Sequence, residues 1–467
     1  MSQHASGQNA LTRFASDHPL WLVFLTAIVV RTFNILLIWY TGGEFMIEDS
    51  SLYPVIAQDW MKSLGLLSGE PLDVGYVERT PLYPVFIGLM QLIGLGHPIH
   101  FVLANSIFDA STCVLVAMLG GMLNRWVGLV AGLVAAFWPN LIVHSGLVLT
   151  DSLFVLLMTG VILAAARFIV APSAKLAGIT GLLLGMAILT RAIAQFLPIP
   201  VSIVLLVAAR RNSCSWRQTV LMACTQLIAV AVLVVPIQIH NKERFDSYSL
   251  THQAGTHLLY WVVPAVHEIE FGTPKAERAA LMHKMLLERL KSKGLAPEQI
   301  GTFGVSKEQT QLALEMLGQS STVSIVRAWW NGFVFNLATP AVLIDPRIRS
   351  LSVHSFYDLH AGSMLAKIQR YVSHNGIWYI LAFTGGGLGS IATLIGSALG
   401  FVYLSRRQWA MALIAFLIIL YFLAINGPVA SPKYRLPFEP VLILLTAIGA
   451  FAIWERFAFP NRDNSIR

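Results

Sequence analysis

The chain has 467 residues, of which 56% are hydrophobic and 12% charged, with a mean hydropathy of +0.66 and a net charge of +8. This composition is too apolar for a water-soluble globular protein and is typical of a chain that crosses a membrane several times. The three cysteines show no C-x-x-C spacing, which argues against a disulfide framework and a paired-cysteine zinc site.

Ten apolar runs are candidates for crossing a bilayer, although several are shorter than the roughly 17 to 25 residues of an ordinary span. In chain order they are 20–40, 99–121, 127–145, 152–170, 176–190, 193–209, 218–236, 376–404, 409–425 and 438–454. The first run has the length of a full span and lacks a small-residue cleavage site, so we interpret it as a retained helix. The pattern predicts an all-α polytopic membrane protein.

The loop after the first run, residues 42–81, is acidic in a chain that is basic overall. It contains two basic residues and seven carboxylates, which are Glu44, Glu48, Asp49, Asp59, Glu70, Asp73 and Glu78. Asp49, Tyr53 and Ala57 recur every four residues, which predicts one helix face with Asp49 in the first turn. A carboxylate beside a membrane can take a proton from a substrate, so Asp49 is the candidate base and Glu48 its neighbouring alternative.

The short apolar run at 82–95 ends in a Gly- and Pro-rich stretch, and its length predicts an interfacial or re-entrant helix. If it does not cross, twelve basic residues fall on the side of the N-terminus, as the positive-inside rule requires. They are Arg13, Arg125, Arg167, Lys175, Arg210, Arg211, Arg217, Arg406, Arg407, Arg456, Arg462 and Arg467. We therefore expect a cytoplasmic (inner) membrane protein with both termini cytoplasmic and the acidic loop facing outward.

Three regions are predicted on this topology. Residues 1–236 form an N-terminal transmembrane catalytic module that includes the outer loop 42–98; residues 237–375 form a large outer loop, and 376–467 the last transmembrane helices. Inside the large loop, the S-x-x-Q spacing of Ser306 and Gln309 predicts a helix start.

A charged helix in the large loop carries a predicted apolar stripe of Leu281, Met285 and Leu290. Residues 323–344 are apolar but interrupted by Arg327 and Asn336, so we expect them to lie flat on the outer surface rather than to span.

The topology then collects polar residues at the outer face. They are the carboxylates Asp49 and Asp151, with Arg79, Arg191, His240, Lys433, Tyr434 and Arg435. Asp151 could instead be a helix N-cap, and Arg191 could snorkel from a helix end. Arg31 and Asp109 lie inside two spans at similar depth, which favours a structural ion pair over a site.

Outward-facing acids and arginines at a lipid boundary suit one kind of chemistry. The acids can deprotonate a hydroxyl, and the arginines can clamp a phosphate and stabilise its charge as it leaves. A phosphate-bearing lipid meets both demands. The sequence contains no P-loop, Rossmann fingerprint or H-E-x-x-H motif, so nucleotide-driven pumping and zincin chemistry lack support.

Six motifs carry a resemblance to a known family. They are Asp49-x-x-x-Tyr53-x-x-x-Ala57, Arg79-Thr80-Pro81-Leu82-Tyr83-Pro84, Leu149-Thr150-Asp151-Ser152-Leu153-Phe154, Leu189-Thr190-Arg191, His240-Asn241 and Tyr434-Arg435-Leu436-Pro437. Their order and spacing resemble the integral-membrane glycosyltransferases of the GT-C fold, nearest to the bacterial protein mannosyltransferase-like and aminoarabinose transferase-like enzymes. The family often has Arg-Asn where this chain has His240-Asn241, and Pro-Pro where it has Thr80-Pro81.

The resemblance implies a GT-C transmembrane helical bundle with membrane-hugging helices in the first outer loop and a small helical outer-loop domain. It also implies a polyprenyl-phosphate sugar donor used at the outer face, with Asp49 at the active site and Asp151 as a second acid. We predict an inverting hexosyl- or pentosyltransferase with a glycan, lipid or protein acceptor, contacts with membrane lipids and no nucleic-acid partner. The predicted substrate-binding residues are Tyr53, Arg79, Tyr83, Arg191, His240, Lys433, Tyr434 and Arg435.

Two other functions stay open at this point. A polysaccharide ligase or polymerase would share an outward basic site, and a lipid-linked sugar transporter or flippase would also show many spans. A transporter should have its polar site residues near the midplane and often a two-fold sequence repeat. Here the candidate residues cluster at one face, and no repeat appears in the sequence. A divalent cation is left open as a cofactor, because Asp49, Asp151 and Glu48 are hard oxygen ligands.

A basic stripe on the charged loop helix could meet an anionic acceptor such as lipopolysaccharide, or could be a solvated face. Its residues are Lys275, Arg278, Lys284, Arg289, Lys291 and Lys293.

Overall fold

The computed structural model describes residues 20–70, 77–340, 344–351 and 363–458, and all regular elements in these ranges are helices. The predictions that involve Arg13, Asp73, Arg462 and Arg467 lie outside the described residues.

The first ten helices are α1 (Leu20–Tyr40), α2 (Tyr53–Ser63), α3 (Leu82–Leu92), α4 (Pro98–Gly121), α5 (Arg125–Ala136), α6 (Pro139–Ser145), α7 (Asp151–Val170), α8 (Ala174–Thr190), α9 (Pro198–Arg211) and α10 (Trp216–Phe245). The next ten are α11 (Gln253–His257), α12 (Val263–Phe271), α13 (Lys275–Ser292), α14 (Pro297–Gln319), α15 (Thr322–Ala338), α16 (Pro346–Arg349), α17 (Met364–His374), α18 (Ile377–Arg407), α19 (Trp409–Asn426) and α20 (Glu439–Ala458). A 3₁₀ turn at Pro432–Phe438, here called the Lys433 turn, leads directly into α20.

Seven of these segments are long and apolar enough to cross a membrane: α1, α4, α7, α10, α18, α19 and the Lys433 turn with α20. The pair α5 and α6 is bent by 50° at the break between them and would make an eighth span. The shorter helices α8 and α9 occupy the two remaining predicted runs. The chain is therefore an all-α polytopic membrane protein, as the sequence predicted.

The short run of the first loop forms α3, which has eleven residues. At about 1.5 Å per residue it is roughly 16 Å long, half of the roughly 30 Å hydrocarbon core. The helix is thus too short for an unaided crossing, in agreement with the prediction from length.

Close packing and one buried ion pair hold the spans together. A Cβ on Gly128 would lie 2.5 Å from the carbonyl oxygen of Ala117, so α5 packs directly on α4. Arg31 Nε donates to Asp109 Oδ2 at 2.6 Å, and both side chains are buried. The predicted structural ion pair is confirmed.

Helices α11 to α14 form a small helical unit within the large loop, and its core corrects two predictions. Met282, Leu286 and Leu290 are buried and Met285 packs against them, whereas Leu281 is exposed, so the predicted apolar stripe of α13 is wrong only at Leu281. Ser306 lies inside α14 rather than at a helix start, and its Oγ accepts a hydrogen bond from the Gly255 N–H at 3.2 Å. The predicted capping box is wrong because the helical stretch that contains Ser306 begins earlier, directly after a break at Gly301, whose φ is 64°.

The basic stripe of α13 is largely neutralised by carboxylates of the protein. Arg289 pairs with Glu308 at 2.9 Å and with Glu315 at 2.6 Å, and Lys293 Nζ lies 2.6 Å from the same Glu308. These contacts fasten α13 to α14. They favour a structural role for the stripe over the recognition of an anionic acceptor.

Helix α15 packs against α18, α19 and the Lys433 turn. Asn336, which seemed from the sequence to interrupt an apolar run, is fully buried. Its Nδ2 donates to the Val429 carbonyl at 3.0 Å, and its Oδ1 accepts from the Ser431 N–H at 2.9 Å. Asn336 therefore fixes the backbone that leads into the Lys433 turn.

Candidate active site

Asp49 meets basic side chains from distant parts of the chain. Lys433 Nζ donates to Asp49 Oδ2 at 2.9 Å across 384 residues of sequence, and Arg79 Nη2 lies 4.0 Å from Asp49 Oδ1. The Asp49 side chain is 46% exposed, so a substrate can reach it. We call Asp49, Arg79, Asp151, Arg191 and Lys433 the Asp49 cluster.

The backbone around Asp49 differs from the prediction. Asp49 lies in a short 3₁₀ turn, Glu48–Ser50, whose Ser50 Oγ accepts from the Ile47 N–H at 3.2 Å. Helix α2 begins at Tyr53, four residues after Asp49, so the predicted place in the first turn of an α-helix is wrong. The helix dipole acts within the first turn only, so cations must stabilise this carboxylate instead.

The charge state of Asp49 follows from its neighbours. Burial raises the pKa of Asp49, but the charge and hydrogen bond of Lys433, together with Arg79 and Arg191, outweigh this effect. The net result is a pKa below the ordinary range of an aspartate. Asp49 is an ionised, reachable carboxylate at neutral pH.

Asp151 and Arg191 form the second pair of the cluster. Asp151 is the first residue of α7, behind Thr150 at the N-cap, so its predicted alternative role as N-cap is wrong. Arg191 ends α8 in an extended conformation and its Nη1 pairs with Asp151 Oδ1. The guanidinium also lies 5.7 Å from the ring centre of Phe154. These contacts hold Arg191 in the protein, in place of the snorkelling that the sequence allowed.

Tyr53 and Tyr83 lie beneath the cluster as buried supports. Their rings meet edge to face with centres 5.3 Å apart, and neither is exposed enough for a substrate to touch. Burial raises the pKa of Tyr53, and its side chain hydrogen-bonds with Thr150 beside Asp151. The Tyr83 hydroxyl accepts from Asn105 Nδ2 at 3.1 Å. The predicted role of these tyrosines in substrate contact therefore becomes a supporting one.

Arg435, which with Arg191 was one of the two arginines predicted to hold the phosphate, is engaged elsewhere. It is only 4% exposed; its Nε donates to Glu439 Oε1 at 2.5 Å and its Nη1 to the Leu337 carbonyl at 2.8 Å. Asn140 Nδ2 donates to the same Glu439 oxygen at 2.8 Å, and Trp138 Nε1 donates to the other. Arg435 thus anchors the Lys433 turn from within, and Lys433 is the residue that faces Asp49.

The remaining predicted residues divide between the cluster and its surroundings. Tyr434 is half-buried, with Lys433 Nζ 5.9 Å from its ring centre, and it acts electrostatically on Arg191. Glu48 is exposed beside Asp49. The charged neighbours of His240 are Arg244 and Glu243, on its own helix α10, so the structure gives no reason to add His240 to the cluster.

Sequence reasoning missed three polar residues that support the site. Asn140, His144 and Glu439 are buried, and the first and last belong to the network around Arg435. The available signal was the i, i+4 spacing of Asn140 and His144 within an apolar run. Among the described residues, no group of three or more His, Cys, Asp or Glu side chains is arranged to hold a metal ion.

Residues 78–239, about a third of the chain, match the sequence model of a family described as dolichyl-phosphate-mannose-protein mannosyltransferase. The matched region contains Arg79, Asp151 and Arg191 but neither Asp49 nor Lys433. A comparison with curated protein sequences gives no match.

Solved structures show a shared fold. The archaeal oligosaccharyltransferase AglB from Archaeoglobus fulgidus, solved with an inhibitory peptide and a dolichol-phosphate, superposes with a TM-score of 0.51 at 12% identity. The match covers 97% of this chain and 53% of AglB, so this chain spans about half the length of that protein.

Two structures of ArnT from Cupriavidus metallidurans, in the apo state and bound to undecaprenyl phosphate, superpose with TM-scores of 0.37. Their sequences are 15% and 14% identical to that of this chain. The matches cover 94% and 96% of this chain and 80% of each ArnT chain. The family match and the fold shared with AglB support the predicted resemblance to GT-C membrane glycosyltransferases.

Proposed function

We propose that this protein is an inverting membrane glycosyltransferase that moves a sugar from a polyprenyl-phosphate donor to an acceptor hydroxyl at the outer face of the cytoplasmic membrane. The observation that carries the proposal is Asp49, a half-exposed carboxylate that Lys433, Arg79 and Arg191 keep ionised. A carboxylate among cations at a lipid boundary suits a reaction that removes a proton and releases a phosphate.

In the proposed reaction, Asp49 accepts the proton of the acceptor hydroxyl while the hydroxyl oxygen bonds to the anomeric carbon. The bond from that carbon to the phosphate oxygen breaks on the opposite face, and its electron pair leaves with the polyprenyl phosphate. Configuration at the anomeric carbon is therefore inverted, and no other reactant is needed.

Arg191 and Lys433 are our candidates for holding the departing phosphate. The contact of Arg191 with Asp151 uses one guanidinium nitrogen, and a guanidinium has five N–H donors, so others are left for phosphate oxygens. Lys433 is bound to Asp49 before the donor arrives. A phosphate that attracts Lys433 would loosen this contact, raise the pKa of Asp49 and make it a better base.

The proposal is tested with purified protein in lipid vesicles, supplied with polyprenyl-phosphate sugars of hexose and pentose type. We expect release of free polyprenyl phosphate that depends on an added glycan, lipid or protein acceptor. Movement of the intact lipid-linked sugar across the vesicle without cleavage would instead establish a transporter or flippase. Extension of a polymer chain by whole repeat units would establish a ligase or polymerase.

Lys433→Met is expected to change the pH dependence of transfer. Because Lys433 is the strongest of the three cations that lower the pKa of Asp49, its loss should raise that pKa. The acid limb of kcat/KM, which reports the base in the free enzyme, should then move to higher pH than in the wild type. Lys62→Met is the control, since Lys62 lies in the same loop but faces Asp59, at 3.8 Å. An unmoved acid limb in Lys433→Met would contradict Asp49 as the base.

A further inference from the structure

Buried polar side chains lie where α6 packs on α7, close enough to the Asp49 cluster for its charges to act on His144. Asn140 and His144 are one turn apart on α6 and are 0% and 2% exposed. His144 Nδ1 lies 2.8 Å from the carbonyl oxygen of Asn140. A carbonyl can only accept, so Nδ1 carries the hydrogen, and in the neutral ring Nε2 then presents a lone pair.

The orientation of the Asn140 amide is fixed in the same way. Its nitrogen donates to a carboxylate oxygen of Glu439, which accepts only, so Asn140 Oδ1 is also an acceptor. Within the part of the chain that the structure describes, His144 Nε2 and Asn140 Oδ1 are shielded from solvent and have no hydrogen-bond partner. The same holds for the hydroxyl of Ser152, in the first turn of α7, on which α6 packs.

Three such atoms on two helices that pack on each other call for a partner, because buried polar groups in native proteins are nearly always paired. Two of the three accept, and the third is a hydroxyl that can donate. A water molecule has two hydrogens and two lone pairs, and two to four polar partners are what a buried water needs. A sugar hydroxyl is a poorer fit, since all three atoms are closed to solvent.

We propose that one ordered water lies between α6 and α7, donates to His144 Nε2 and Asn140 Oδ1 and accepts from Ser152 Oγ. Asn140 also holds Glu439, which holds Arg435 in the Lys433 turn. The water therefore helps to fix the turn that places Lys433 beside Asp49. Asp151, Lys433 and Arg191 are the charged groups that act on the His144 ring. His144 is a positioning residue for the proposed transfer reaction, and its role in transfer rests on that proposed function.

The first test is a map of the wild-type protein at a resolution that shows ordered water. We expect density within hydrogen-bonding distance of His144 Nε2 and Asn140 Oδ1. A map with no such density beside these two atoms would overturn the proposal. This test does not depend on activity, so the water site would stand even if the protein transferred no sugar.

The second test compares His144→Gln, whose amide oxygen can still accept from the water, with His144→Met, which has a similar length and no comparable acceptor. We expect His144→Met to lower kcat about two- to tenfold, the effect of one lost hydrogen bond. His144→Gln should recover most of the wild-type rate, and KM for the acceptor should change in neither variant. Equal losses in both variants would mean that His144 only fills space.

Discussion

Asp49→Asn is expected to lower kcat for sugar transfer by about 10² to 10⁴, the usual effect of losing a positioned base. Asparagine has the shape of aspartate but cannot take a proton. Asp49 is half-exposed and its pairing with Lys433 is partly solvated, so the variant should insert and fold as the wild type does. Transfer rates are measured under saturating donor and acceptor, and thermal unfolding in detergent checks the fold.

A binding measurement with polyprenyl phosphate distinguishes a variant that has lost only the base from one that has lost the donor-binding site. Because a carboxylate beside the phosphate repels it, Asp49→Asn should bind polyprenyl phosphate at least as tightly as the wild type does. Glu48→Gln is the matched control: it removes the exposed carboxylate next to Asp49 and should leave kcat nearly unchanged. Transfer by Asp49→Asn at the wild-type rate would exclude Asp49 as the base.

Arg191→Lys is expected to lower kcat/KM for the donor by roughly ten- to a hundredfold, the range of one or two hydrogen bonds to a charged group. Lysine keeps the charge but loses the planar fork that can bind Asp151 and a phosphate together. The measurement is initial-rate kinetics with varied donor, together with direct binding of polyprenyl phosphate.

Arg435→Lys is the matched control for Arg191→Lys, since the two arginines were equal candidates in the sequence. Arg435 is bound to Glu439 and to the Leu337 carbonyl, away from the exposed part of the cluster. Its replacement should lower the unfolding temperature and leave KM for the donor close to wild type. The reverse result, a stable Arg435→Lys protein with weak donor binding, would mean that Arg435 is the residue that contacts the phosphate.

The sequence predicted the membrane helices well because length and apolar composition determine them directly. Helix α3 was recognised as too short to span, and Arg31 with Asp109 as a buried pair, since an unpaired charge at that depth is costly. These inferences need only the local sequence and the thickness of the membrane.

The details of the site depend on directions that the local sequence does not specify. Lys433 and Arg435 are two residues apart, and in a 3₁₀ turn with three residues per turn such neighbours point to different sides. Which of the two faces Asp49 is decided by Glu439, which binds Arg435 from α20. The burial of Tyr83 likewise depends on Asn105 of α4, a contact between separate helices.

The contact between Asp49 and Lys433 also has a consequence for the biogenesis of the protein. The two residues are separated by 384 positions, and the Lys433 turn leads into α20, the last helix of the described residues. A nascent chain that has inserted only its first helices carries Asp49 without the cation that lies nearest to it in the folded protein. The cluster is complete only when α20 has joined the bundle, so a partly synthesised chain in the membrane has no assembled site.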